Sequence, residues 1–309
     1  MKEIRIGVGV ADGGGSALDD LLDQIRRAEA AGFQSVWIAN IFGFDALTLA
    51  ALGGRETQTL ELGTAVVPTH SRHPFFMAQQ ALSTQAATGG RFVLGIGPSH
   101  QIVIETLMGL SYAKPALHVK EYATVVTELI QSGKTSFQGK TYQVNAGINV
   151  SNGSPCKVLL GALGPLMRRV AGTIADGTIT WMAGPKALGE TLVPDLSAIA
   201  KEAGRPAPRV VAGFPVVVTN DAAGAREAAS KLFAMYGTLP SYRAMLDLEG
   251  AEQPGEITIA GDEKAIETAI DRLAAAGVTD FNAAIFPYGD DGPAAAKRTY
   301  ELLSELARR

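Results

Sequence analysis

The sequence is poor in cysteine, in charge and in long apolar runs. One residue of 309, Cys156, is a cysteine, which excludes an intramolecular disulfide and any zinc site built on several thiolates. Charged residues make up 19%, and 27 basic side chains stand against 31 acidic ones. No basic excess exists to neutralise phosphates across the surface, so no nucleic-acid partner is expected. No run of 18 apolar residues occurs, so no membrane span or membrane partner is expected. Met1 to Ile6 passes straight into alternating apolar residues with no apolar signal core, and the expected location is the cytoplasm. Four histidines are present. None falls in an HxH, HExxH or paired His–carboxylate spacing, so no metal site is expected. Ser71 and Ser99 lack a GxSxG elbow, which argues against a serine hydrolase. What the chain does have is 47% hydrophobic residues and 35 glycines. That is enough for a large core and excludes a disordered chain.

The hydrophobic pattern alternates between two periods. Ile4–Val10 alternates apolar with small or polar residues, as a strand does. Leu18, Leu21, Leu22, Ile25 and Ala28 follow helical spacing, with Asp19 and Asp20 at the start, Arg26 and Arg27 near the end and Gly32 as a cap. The same unit recurs as a helix end, a glycine, a short gap and a strand: Gln85–Ile96, Val170–Trp181 and Leu273–Phe286. Candidate strands are 4–10, 35–38, 60–67, 92–96, 157–161, 177–182, 209–218 and 281–286. Eight strand–helix units predict an α/β chain of one domain over 1–309, a (β/α)8 TIM barrel. Two insertions are expected at its C-terminal face. Residues 133–155 read as a hairpin with a Gln138-Gly139 turn. Residues 236–260 read as a lid, an interface segment or a disordered stretch.

A barrel enzyme carries its site at the C-terminal strand ends. Those ends hold Asp12–Ser16, Asn40–Asp45, Val67–Pro74, Gly97–His100, Gly161–Pro165, Trp181–Met182 and Pro287–Tyr288. Gly161-Ala162-Leu163-Gly164-Pro165 opens a helix; it reads either as an anion cradle of backbone N–H groups or as a tight turn. The inward glycines Gly7, Gly9, Gly95 and Gly97 either open a cavity for a flat ring or make room for a large neighbour. His70 and His100 sit at strand ends and are site candidates. His73, just before Pro74, reads as a local hydrogen-bonding residue, and His118 as a surface or capping residue. Trp181 reads as a site wall. Cys156 reads as a packed thiol.

Several stretches together resemble the luciferase-like monooxygenase superfamily, in its branch that uses the deazaflavin F420. They are Ala28–Trp37, Asp45–Leu52, Leu62–Val66, His73-Pro74 with Gln79 and Gln80, Gly90–Gly97, and Ala171–Gly177. The spacing of Gly161–Arg169 to Asp176–Trp181 is what resembles the F420 branch. The resemblance spans Ile4 to about Leu303 and implies a barrel that binds F420 at its strand ends. It implies a non-proline cis peptide after the third strand, at Ala65–Val66 or Val66–Val67, backing the ring. By position it implies cofactor contacts from Thr64, Ala65, Val66, Gly97, Ser99, Gly161, Ala162, Leu163, Gly164, Trp181 and Met182. Phe42, Phe44, His70 and Phe286 would line a substrate pocket for a small organic molecule. Alcohol-oxidising members often carry a His after the second strand and a Glu after the fourth; here Asn40 and His100 stand there. Asn40 accepts no full proton, so the resemblance implies hydride transfer in the reducing direction, with His100 as proton donor. It also implies a homodimer. The alternatives are an FMN-dependent monooxygenase of the same fold and a non-catalytic flavin- or deazaflavin-binding protein.

Overall fold

The computed structural model describes residues 4–309. Eight parallel strands form the barrel: β1 (Arg5–Ala11), β2 (Ser35–Ala39), β3 (Glu61–Thr64), β4 (Phe92–Gly97), β5 (Lys157–Leu160), β6 (Gly177–Trp181), β7 (Arg209–Val218) and β8 (Asp280–Ile285). Each pairs with the next, and β8 pairs with β1 to close the ring. The expected (β/α)8 barrel is therefore present, with β1 and β8 in register at Arg5 and Asp280. The third strand is shorter than its apolar run. The chain leaves the β2–β3 register after Thr64, bulges at Ala65 and Val66, and returns as Val67–Pro68 beside Ile96 and Gly97.

Strand alternation sends Ile6, Val8 and Val10 outward into the core beneath the helices. There they meet α1 (Leu18–Ala30), whose Leu21, Leu22, Ile25 and Ala28 form its buried stripe. The helices α2 (Ala46–Glu56), α3 (Pro74–Ala87), α4 (Pro115–Ser132) and α5 (Pro165–Ile174) continue the outer layer. A second, smaller cluster fills the barrel itself: Trp37, Val93, Leu159, Ile179 and Val211. At the N-terminal rim Arg209 binds Asp280 and Glu61, and Arg5 joins both acids. The Arg209 guanidinium stacks 5.3 Å above the Trp37 ring.

One of the two insertions lies elsewhere than expected. The hairpin Lys134–Gln138 with Gln143–Gly147 follows α4, so it enters from the N-terminal face rather than the C-terminal one. It runs back along α4, where the Glu121 carboxylate accepts from the N–H groups of Lys140, Thr141 and Tyr142 at 2.8, 2.6 and 3.1 Å. Its turn is the four-residue Gly139–Tyr142 rather than Gln138-Gly139. The segment 236–260 is ordered. It contains the helix Pro240–Glu249, a 3-10 turn at Pro254–Ile257 and a short strand, Ile259–Gly261, on the upper end of β7. Residues 98–114 form a C-terminal-face insertion after β4, with a π-helical turn at Val103–Leu107.

Candidate functional site

The C-terminal mouth of the barrel is short of side-chain volume. Continuing the alternation upward, the inward positions are Ala11, Ala39, Ala65, Gly97, Gly161, Trp181, Gly213 and Ala284. Ala11 is exposed, and Ala39, Ala65, Val66, Gly161 and Ala284 are half-buried, as the walls of an open well are. The floor is the indole of Trp37, which is 1% exposed and donates to Ser35 Oγ at 3.0 Å. The inward glycines divide by purpose. A Cβ on Gly7 or Gly63 would stand 3.2 or 2.3 Å from the Trp37 ring, so these two make room for a protein side chain. Gly95 and Gly97 admit the bulge after β3: a Cβ there would lie 1.9 Å from the Thr64 carbonyl or 2.9 Å from a Val66 methyl. The Ala65–Val66 peptide within that bulge is cis.

Behind the bulge stands a column of rings. His70 stacks on His118 at 3.9 Å and 12°, and on Tyr112 at 5.6 Å. His118 Nε2 lies 3.0 Å from Thr69 Oγ1, and Tyr112 donates its hydroxyl to the Ser99 carbonyl at 3.0 Å. The column thus ties the ends of β3 and β4 to α4. Burial lowers both imidazoles, and the neighbouring His70 adds to the effect on His118, which falls to about 4. His118 is 8% exposed, not the surface residue its position suggested. His73 does act locally, accepting from Phe75 N–H as the cap of α3.

Two strand ends carry non-glycine residues at positive φ, Ser99 at 61° and Met182 at 49°. Such residues cost about 1–3 kcal/mol and concentrate where geometry serves a ligand. Ser99 leads into His100, whose ring meets Tyr242 at 5.8 Å and Tyr236 at 6.3 Å. Trp181 meets Tyr236 and Phe233 on the same side. The segment after β7 therefore roofs one side of the mouth with aromatic rings. Burial lowers His100 as well, so at neutral pH it is a neutral imidazole with one N–H, not a ready imidazolium.

The turn Gly161–Gly164 opens α5, with Pro165 in the first helical position. A Cβ on Gly164 would meet nothing within 4 Å, so the space before this helix is open. Arg168 is buried instead of solvated. It donates to the Leu163 carbonyl at 2.5 Å and to Asp195 at 2.8 Å, bracing the turn from behind. Arg72 pairs with Asp45, the cap of α2. Asn40 Oδ1 accepts from Ala46 N–H at 3.1 Å, which leaves its amide N–H groups for other partners. Asp12 holds the glycine-rich turn by accepting from Gly14 and Phe44 N–H.

Four assigned side chains do not face the mouth. Thr64 is fully buried, and its hydroxyl exchanges hydrogen bonds with the Gly95 carbonyl and N–H where the β3–β4 ladder breaks. Ala162 packs into the outer core, so only its backbone can serve a ligand. Met182 is buried with Leu246, Ala251 and Ile257 under the roof. Phe286 lies with Val217, Ala225 and Ala229 beneath the helix Ala222–Leu232, outside the barrel. Of the expected substrate residues, Phe42 is 69% and Phe44 37% exposed at the rim, while His70 belongs to the ring column. A cavity of about 670 Å³ lies on the flank between the helix Glu263–Ala275 and Pro185, away from these strand ends. Among the described residues no cluster of His, Cys, Asp and Glu is placed to hold a metal ion, and no helix is long and apolar enough to cross a membrane.

Residues 4–304 match the model of the luciferase-like monooxygenase family. The chain is 27% identical to the 5,10-methylenetetrahydromethanopterin reductase of Methanopyrus kandleri, over 82% of this chain and 85% of that one. It is 30% identical to the F420-dependent glucose-6-phosphate dehydrogenase of Nakamurella multipartita, over 82% and 78%. The solved F420-dependent tetrahydromethanopterin reductase of Methanopyrus kandleri superposes with a TM-score of 0.83 at 24% identity, covering 99% of both chains. A barrel with a bulged third strand, an open alanine- and glycine-lined mouth and a match over nearly its whole length places this chain in the luciferase-like monooxygenase family.

Proposed function

We propose that the chain is an F420-dependent oxidoreductase that reduces a small organic substrate at the barrel mouth. Proteins it resembles include an F420-dependent reductase and an F420-dependent dehydrogenase. The observation that carries the reading to this chain is the shape of the mouth. Small residues stand at nearly every inward strand end, bounded by the Val66 bulge on one side and Trp181 on another. A flat tricyclic ring fits a well of that kind, and bulky side chains would fill it. The unfilled space at Gly164, before α5, suits the anionic tail: backbone N–H groups and the helix dipole both favour negative charge there. When bound, the deazaflavin supplies a two-electron hydride donor or acceptor at its C5 carbon.

The protein contributes orientation, exclusion of water and hydrogen-bond donors to the substrate oxygen. Val66 backs the ring, and Ser99 turns the chain so that His100 faces the mouth under Tyr236 and Tyr242. Neutral His100 offers an N–H to a substrate oxygen. Asn40 donates its amide N–H to the same class of atom and accepts no proton, which favours reduction over alcohol oxidation. The rim phenylalanines Phe42 and Phe44 favour an apolar substrate. The enzyme acts in the cytoplasm as a homodimer.

Fluorescence titration with F420 and with FMN in parallel tests the reading. Saturable F420 binding at micromolar levels, with FMN at least tenfold weaker, is the expected result. Preference for FMN would move the chain to the oxygen-using members of its fold, and binding of neither would remove the cofactor.

A further inference from the structure

We propose that Asn282, in the middle of β8, reads the imide edge of the bound deazaflavin, with Trp181 beside it. The proposal rests on the F420 reading above. Asn282 points into the barrel, is 7% exposed, and its Oδ1 has no hydrogen-bond partner among the described residues. A barrel interior has no use for such a group by itself, because an unsatisfied buried acceptor is costly and an aliphatic residue would pack as well. The neighbouring strands make way for it. Its register partners are Gly7 on β1 and Gly213 on β7. A Cβ on Gly9 would stand 3.2 Å from Asn282 Oδ1, and one on Gly213 3.4 Å from Nδ2. Above it the inward position on β8 is Ala284, half-buried, with the half-buried Gly9 beside it on β1. The carboxamide therefore lies at the foot of the open well rather than inside a packed layer.

The Trp181 indole is next to it, its buried N–H turned toward the Tyr236 hydroxyl of the roof. The same Cβ on Gly213 would lie 3.0 Å from the Trp181 ring, so Gly213 separates the two side chains. The unmatched Asn282 amide faces a ligand that must bring its own donor and acceptor. A carboxamide has one acceptor and two donor hydrogens. The imide edge of a deazaflavin has one N–H between two carbonyl oxygens. An N–H beside a carbonyl complements the acceptor and donor of one carboxamide. A hydroxyl or keto substrate offers a single oxygen and would leave part of the set unmatched.

The test combines Asn282→Leu, the near-isosteric apolar replacement, with F420 and its N3-methyl derivative, whose imide N–H is gone. Wild-type protein should bind F420 about tenfold or more tighter than the derivative, and Asn282→Leu should bind the two alike. Its melting temperature should equal or exceed that of wild type, since an unsatisfied group has been removed. Asn282→Asp, acceptor only and charged, should lose F420 affinity too. Equal wild-type affinity for the two ligands would overturn the assignment. So would an Asn282→Leu variant that still discriminates between them, or one whose cofactor affinity is intact while substrate KM rises. Absence of F420 binding by wild type would overturn the cofactor reading and this assignment together; intact binding without the N3 coupling overturns this assignment alone.

Discussion

His118 shows how a single side chain changes meaning between sequence and structure. In the sequence it stands near the start of a helix with no partner in reach. In the fold, α4 presses it against His70 at 3.9 Å, with Thr69, Glu121, Tyr122 and Tyr142 around it. The Glu121 charge offsets only part of this, and its oxygens are already occupied by the hairpin N–H groups. The folded imidazole titrates near 4 against an ordinary 6.5. A depressed histidine contributes stability that is present above pH 6.5 and is lost as pH falls toward 4, since the unfolded chain takes up the proton first. The upper limit is about 3 kcal/mol. Urea unfolding at pH 7.5 and 5.0 measures it. His118→Phe keeps the stack without the titration, and its stability should fall markedly less than wild type's between the two values. An equal fall would remove His118 from the acid sensitivity. Pair contacts of this kind, like the burial of Phe286 and Met182, join distant residues and leave no mark in local spacing. Asn282 did leave one: a polar residue at an inward position in the middle of β8, opposite Gly7 and Gly213 on its neighbours.

Among the elements, the barrel strands were legible as short runs rich in apolar residues, each followed by a helical pattern. The third was overrun because its apolar run continues through the bulge, which periodicity cannot see. The segment 236–260 gave little signal because its helices bury only Met245 and Leu246 in the stretch Pro240–Glu249 and depend on aromatic packing across the mouth. The turn before α5 was legible as glycine and proline, but its brace was not, since Arg168 reads as one more helix-surface cation. In the fold Arg168 is a brace, holding the Leu163 carbonyl and Asp195 while 6% exposed. Arg168→Met should therefore destabilise the fold by about 1–3 kcal/mol and weaken F420 binding about tenfold by loosening Gly161–Gly164. Gly164→Val separates the two effects. Its side chain enters empty space, so the melting temperature should hold while F420 affinity falls. Unchanged affinity in Gly164→Val would take this turn out of the cofactor site.

At the scale of the molecule the two ends of the barrel have opposite characters. The N-terminal end is closed by Arg209, Asp280, Glu61 and Arg5 over the Trp37 ring, so interior volume serves stability there. The C-terminal end leaves its volume to a ligand, and its rim exposes apolar surface. Ile102 is 60%, Leu107 64%, Met108 39% and Leu110 44% exposed, all in the insertion that starts at the Ser99–His100 turn. A soluble monomer seldom shows several large apolar side chains in one short segment unless something covers them. A two-fold axis near this insertion would cover each copy's patch with the other's, because an isologous interface needs only one self-complementary surface. Light scattering at micromolar protein should then give twice the chain mass of 32.2 kDa. The double substitution Ile102→Asp, Leu107→Glu should return the single mass, because two carboxylates per copy would be buried face to face across the axis. Its thermal midpoint should no longer rise with protein concentration, as that of the assembled protein does. A wild-type mass of 32.2 kDa throughout, or a double variant that keeps the wild-type mass, would place the dimer contact elsewhere or abolish it. Loss of the dimer with F420 affinity intact would show that each barrel binds its cofactor alone, as a mouth built from the strands of one chain requires.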